Sequence, residues 1–131
     1  MAHQIIHPKS VHSTADVGYS HVAKVGKTVY IAGQVGLDAD GNLVGQGDIE
    51  KQTHQVYTNL KAILEEIGGS LDDIVKMTTY LTDRSQLEAF RRVRTNVLRD
   101  PFPPNTLLFV NGLAHPDYLV EIEAIADLSS A

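Results

Sequence analysis

The run Val120-Glu121-Ile122-Glu123-Ala124-Ile125-Ala126 constrains the fold more than any other stretch of the chain. Its side chains alternate. Tyr118, Val120, Ile122, Ala124 and Ala126 fall on one face, as in a strand that covers a core. The other face carries Leu119, Glu121, Glu123 and Ile125, two carboxylates bracketed by aliphatics, which is not how a plainly solvated face looks. A second run, Phe102 to Val110, reads as its partner strand across a loop. Within it Leu107 to Val110 is apolar on both faces, which implies burial on both sides. A chain of 131 residues has few ways to cover both faces of a strand. The pattern predicts that one face packs on the chain's own helices and the other meets another subunit.

The remaining elements follow in order. Tyr19 to Val25 and Thr28 to Gly33 read as a hairpin turned at Gly26-Lys27. Leu37 to Leu43 offers a turn with a short strand. A calcium loop starting at Asp38 would need glycine at 43 and glutamate at 49, where the chain has Leu43 and Ile49. Asp48 is placed to cap a helix running to about Ile67, with Val56, Leu60, Ile63, Leu64 and Ile67 as its apolar stripe. Gly68-Gly69 ends it. Ser70-Leu71-Asp72-Asp73 has the form of a capping box on a single turn, and Ile74 to Thr82 is rich in strand formers. Ser85-Gln86-Leu87-Glu88 looks like a second capping box, opening a helix that reaches Leu98 with Leu87, Phe90, Val97 and Leu98 inward. Asp100-Pro101 closes that helix. The predicted class is α+β: residues 1–131 as one domain, one sheet, helices on one face, and the bare face as an oligomer surface.

Charge and composition exclude several functions. A net charge of −5 argues against a nucleic-acid partner, which calls for a basic patch or stripe. Arg84, Arg91, Arg92, Arg94 and Arg99 cluster, but their spacing reads as the solvated face of the second helix. With no cysteine, thiolate catalysis and cysteine-ligated zinc are excluded. No stretch approaches the roughly 20 apolar residues of a membrane span, and the N-terminus lacks a signal-peptide core, so a cytoplasmic protein is expected.

His3, His7, His12, His21, His54 and His115 are dispersed, which predicts surface or hydrogen-bonded histidines and no metal site. There is no Gly-x-Ser-x-Gly elbow and no phosphate-binding glycine loop. Glu121 and Glu123 carry the stronger signal. On patterning alone they pair with basic groups across a subunit boundary, or one of them, with its pKa raised in a half-apolar setting, holds or activates a water.

The final run resembles the ending of the reactive intermediate deaminase (RidA/YjgF) family. Gly18-Tyr19-Ser20, the Ala32-Gly33-Gln34 strand end, Gln52 to Gly69, and Gly69 to Asp83 resemble further family segments in the same order. The resemblance implies a chorismate-mutase-like α+β subunit, a homotrimer with a central barrel, and small-molecule clefts between subunits. It also implies hydrolysis of enamines and imines to a carbonyl compound and ammonia, without metal or organic cofactor. By the same resemblance Glu121 positions water, and Tyr19, Ala32, Gly33, Asn105, Thr106 and Val110 line the cleft. The chain departs from the deaminating pattern at Asn105, where those members carry a carboxylate-clamping arginine, and at Ala32, where they carry serine. Replacing a charge-assisted pair by an amide weakens docking by roughly 1–2 kcal/mol. Substrates less anionic, or differently anionic, than 2-aminoacrylate are expected. Arg91 or Arg94 of the second helix could reach the cleft from a neighbouring subunit and supply the charge. A non-catalytic sensor trimer is the alternative, and a ribonuclease finds little support in an acidic chain with 6% aromatic residues.

Overall fold

The computed structural model describes residues 3–130. Six strands, β1 (Gln4–Ile6), β2 (Val22–Val25), β3 (Thr28–Gln34), β4 (Ile74–Leu81), β5 (Asn105–Phe109) and β6 (Val120–Asp127), form one mixed sheet in the order β1-β2-β3-β6-β4-β5. Only β4 and β5 run parallel. Helix α1 (Ile49–Glu66) connects β3 to β4 and α2 (Leu87–Val97) connects β4 to β5. This is the α+β layer that the pattern predicted.

The core lies between the sheet and the two helices. Val29 and Ile31 of β3, Met77 and Leu81 of β4, and Val120, Ile122, Ala124 and Ala126 of β6 meet Val56, Tyr57, Leu60, Ile63 and Leu64 of α1 and Phe90 and Val93 of α2. The inward face of β6 is thus the one that its alternation marks. Asp48 caps α1 by accepting the Lys51 N–H at 3.1 Å, and Ser70 with Asp73 forms the reciprocal capping box. The β2–β3 turn has Gly26 at φ 59°, the left-handed first position that a type II′ hairpin requires.

Several expectations are corrected. β5 and β6 are not partners: β4 lies between them, parallel to β5 and antiparallel to β6. A parallel neighbour needs a crossover connection, and α2 supplies it, which a strand–loop–strand reading of the C-terminus overlooks. The N-terminus, to which the pattern assigned no element, contributes an edge strand with Ile5 opposite Ala23. The short strand near Leu37 is a single bridge, Leu37 to Leu43, across a turn that Asp38 holds by accepting the N–H groups of Asp40 and Asn42. Ser85 is not a cap. Asp83 accepts its N–H at 2.9 Å and starts a 3₁₀ turn before α2, while Glu88 pairs with Arg91. Arg84, Arg91, Arg92 and Arg99 are exposed as expected, but Arg84 and Arg99 lie outside α2, and Arg94 is half-buried.

The opposite face of the sheet is bare. Ile5, Tyr30, Val75 and Leu108 are exposed there, with Glu121, Glu123 and Ile125 of β6 among them.

Candidate active site

Glu121 projects from the bare face, opposite Tyr80 of β4. Beside it the β3–β6 register slips: Ile31 faces Ala124 and Gln34 faces Ile122, so Ala32 and Gly33 oppose Glu123 as a bulge. The slip brings the Gly33 backbone beneath the Glu121 side chain. A Cβ at position 33 would lie 1.9 Å from Glu121 Oε2 and 2.7 Å from its Cδ, so only glycine leaves the carboxylate its place.

Glu121 is half-buried, and burial first, then the charge of Glu123, pushes its carboxyl above the ordinary 4.5. It has no hydrogen-bond partner among the described residues, whereas Glu123 accepts the Tyr80 hydroxyl at 3.0 Å. Tyr19 stands in the loop before β2. Burial first, then the Glu121 charge and Tyr118, raise its phenol above 10.0.

The bulge is held from below by buried polar groups. Ala32 N–H donates to the His21 carbonyl at 2.8 Å, and Gln34 Nε2 donates to the Ala32 carbonyl at 3.1 Å. His21 Nε2 lies 2.7 Å from the His12 carbonyl and must therefore carry the proton, which leaves Nδ1 to accept from Gln34 Nε2 at 3.0 Å. These bonds tie the bulge to His21 and the loop before β2, with Gln34 Oε1 and His12 Nδ1 left without partners among the described residues. Gln52, on α1, holds the loop into β6 in the same way. Its Nε2 donates to the Gly45 and Asp117 carbonyls, and its Oε1 accepts the Leu119 N–H.

The second group of expected site residues lies elsewhere in the chain. Asn105 opens β5 on the helix-facing side, where its Oδ1 accepts the Thr79 hydroxyl at 2.9 Å. It lines a cavity of about 330 Å³ with Met77, Arg94, Thr95, Leu98, Phe102 and Pro103. Thr106 faces outward and accepts Lys76 Nζ at 2.6 Å, and Val110 N–H closes the sheet on the Leu81 carbonyl. Asn105 sits in the Met77–Ala124 register row and Glu121 in the Tyr80–Leu108 row, three rows and two strands apart on opposite faces. That is roughly 14 Å between their Cα atoms from strand spacings. Within one chain Tyr19, Gly33 and Glu121 are brought together and Asn105 is not. Arg91 is exposed and paired with Glu88, so of the two arginines only Arg94 reaches the Asn105 cavity.

A model of the family described as Endoribonuclease L-PSP matches residues 10–128, which contain both helices and every strand but β1. A RutC family protein of Pyrococcus abyssi is 40% identical over 108 residues, covering 82% of this chain and 84% of that one. The chain belongs to the RidA/YjgF family.

Two further relatives fill in the likeness. A protein of Dermatophagoides farinae named 2-iminobutanoate/2-iminopropanoate deaminase is 33% identical over 107 residues, 82% of this chain and 83% of that protein. The crystal structure of RidA from an Antarctic Psychrobacter superimposes with a TM-score of 0.83 at 37% identity, over 94% of this chain and 97% of that one. The RidA fold therefore extends across both the Glu121 surface and the Asn105 cavity. Among the described residues no helix is long and apolar enough to cross a membrane, and no three His, Asp or Glu side chains gather as a metal site would need.

The RidA-type surface also contains groups that sequence reasoning passed over. Gln34 is turned into the core by the bulge, whereas plain alternation from Val29 and Ile31 would set it beside Tyr30 on the outer face, so its burial was not legible. His21 and Gln52 gave no sign either, because their partners are backbone carbonyls distant in sequence.

Proposed function

We propose that this chain hydrolyses small enamines or imines to a carbonyl compound and ammonia, with Glu121 as the group that handles water. The observation that carries this reading is the Glu121 carboxylate. It is half-buried, raised in pKa, without a hydrogen-bond partner among the described residues, and seated on Gly33, where any Cβ would displace it. A base with a raised pKa works near neutral pH. The carboxylate takes a proton from water as the oxygen bonds to the imine carbon, and the imine nitrogen takes up a proton. The carbinolamine then collapses, its C–N bond breaking as ammonia leaves and its hydroxyl proton being lost. Net, one imine and one water give one carbonyl and one ammonia. The name of the Dermatophagoides relative supports this chemistry class.

The site is completed between subunits. Asn105 and Glu121 cannot meet within one chain, while the bare sheet face exposes Tyr30 and Leu108 for a neighbour. A homotrimer with three such clefts satisfies both. In it Tyr19 and the Gly33 backbone line one wall and Asn105 and Thr106 the other. Ala32 and Val110 support the walls, because the N–H of each is already bonded within its own chain.

A second reading has one observation in its favour: Asn105 stands where an arginine would hold a carboxylate, which suits a binding protein without turnover. Ribonuclease activity draws support from the description of the family model but not from a chain of net charge −5. The test is to generate 2-aminoacrylate and 2-iminobutanoate with a dehydratase and follow their decay. Wild type is expected to accelerate decay of one or both and Glu121→Ala to abolish the effect. No acceleration by wild type, with activity appearing in Asn105→Arg, would favour the binding protein.

A further inference from the structure

Gln34 is the least economical residue in the core. It is fully buried, yet its Oε1 has no partner among the described residues. A buried acceptor without a donor weakens a fold, and an aliphatic side chain in the same place would not. The nitrogen end of the amide is fully used. Its two N–H groups go to the Ala32 carbonyl at 3.1 Å and to His21 Nδ1 at 3.0 Å. Turned over, the amide would face both acceptors with an oxygen, so these two partners fix its orientation.

His21 is the other half of the joint. Its ring is buried, and its Nε2–H is committed to the His12 carbonyl at 2.7 Å. Two residues beyond His12, the Thr14 hydroxyl donates to the Tyr19 carbonyl. The segment 12–14 thus holds both the His21 ring and the loop that carries Tyr19. On the other side of the joint, the Ala32 N–H is bonded to the His21 carbonyl and the Ala32 C=O to Gln34. A peptide unit is planar, so fixing the Ala32 carbonyl fixes the direction in which Gly33 follows. Gly33 is the backbone against which the Glu121 side chain lies.

We propose that His21 and Gln34 are positioning residues: acting through the Ala32–Gly33 peptide, they hold the backbone on which the Glu121 carboxylate rests, and so set its reach to the attacking water. Neither side chain bonds to Glu121 itself. That the placed carboxylate is the base rests on the imine-hydrolase reading; that His21 and Gln34 place it does not.

Three substitutions in the full-length protein test the joint. His21→Leu leaves Gln34 without its acceptor, whereas His21→Asn sets an amide oxygen where Nδ1 stood. Gln34→Met keeps the bulk and removes the amide. Carbon-13 NMR of the glutamate carboxyls, followed through a pH titration, reads Glu121 directly, and steady-state imine hydrolysis reads the consequence. The Gly33 backbone helps to bury Glu121, so a bulge that drifts admits water to the carboxylate. Burial is the first cause that raises this carboxyl. Glu123, Tyr80 and Tyr19, the titratable groups whose charges meet it, remain in every variant. His21→Leu and Gln34→Met should therefore move the Glu121 midpoint down toward 4.5. They should also lower kcat about tenfold or more, with KM held within about twofold. His21→Asn should keep the wild-type midpoint and at least about half of kcat. His54→Leu, on the exposed face of α1, should change neither.

An unmoved Glu121 midpoint in His21→Leu and Gln34→Met would overturn the proposal, as would a loss in His21→Asn equal to that in His21→Leu. Wild type keeps the test decisive if those variants fold poorly. Long-range proton–nitrogen NMR should find the His21 proton on Nε2 and Nδ1 bare. A proton on Nδ1 would overturn the joint, because Gln34 would have no acceptor there. Midpoint shifts in the variants without imine turnover by wild type would sink the hydrolase alone. Turnover by wild type with unmoved midpoints would sink the joint alone.

Discussion

Gly33 and Glu121 couple backbone to chemistry at a single contact. Gly33→Ala places a methyl where Glu121 Oε2 lies, but the carboxylate is the far end of a flexible side chain and can swing away. The fold should therefore lose less than about 1 kcal/mol, as for substitutions outside the core, while a displaced base should lower imine turnover about a hundredfold. Thermal unfolding beside a kinetic assay separates the two, and equal losses in both would contradict the contact's role. The pH dependence follows from the same carboxylate. Its pKa lies above 4.5 by burial first and by Glu123 second, so the acid limb of the rate profile should lie above 4.5. Glu123→Gln removes one of the two causes and should move that limb to lower pH. Stability has a fixed sign as well. A carboxyl whose folded pKa is raised weakens the fold once ionised, and this penalty is absent below 4.5 and complete above the folded value. Glu121→Gln should raise the melting temperature at neutral pH, with the gain shrinking as pH falls through that window. A gain independent of pH would point to some other cause. Glu121 was legible as a carboxylate among aliphatics, and the family resemblance alone separated it from Glu123. The bulge that seats it went unread, because its one mark in the sequence is a glycine, Gly33, at the end of a strand pattern, where a turn reads equally well.

At the level of elements, the helices and the β2–β3 hairpin formed where expected, while the pairing of the C-terminal strands and the cap before α2 did not. Asp48 followed by the α1 stripe located that helix, and Asp48→Ala should cost about 1 kcal/mol in chemical denaturation. Ser85→Ala should cost far less, because Asp83 holds the turn before α2 and the Ser85 hydroxyl only adds to that carboxylate. A comparable loss from both would contradict the observed cap. The two sites differ in sequence only subtly, since Ser-x-x-Glu and Asp-x-Ser are both sound openings and tertiary context selected the second. Which strands neighbour each other was hidden for a different reason. β4 slips between β5 and β6 because α2 carries the chain across the sheet, and the length of that crossover is compatible with several strand orders. Asn105 landed on the helix-facing side of an edge strand as a result, next to Arg94, where no reading of spacing would have joined them.

The whole molecule is a sheet covered on one face and bare on the other. Ile5, Tyr30, Val75 and Leu108 on the bare face belong to the apolar surface that the two-faced strands foretold. Leu108→Asp should shift the light-scattering mass from trimer toward monomer and remove activity with it. A wild-type monomer would contradict the assembly outright. The central claim is that each active site combines Glu121 of one subunit with Asn105 of another, and subunit mixing tests it most directly. Glu121→Gln lacks the base, and Asn105→Asp should repel an anionic substrate, so each variant alone is expected to be inactive. Unfolded together in equal amounts and refolded, they should recover about a quarter of wild-type imine turnover, since random assembly leaves that share of clefts with both halves intact. A refolded mixture that forms mixed trimers yet is no more active than its parents would contradict a site shared between subunits.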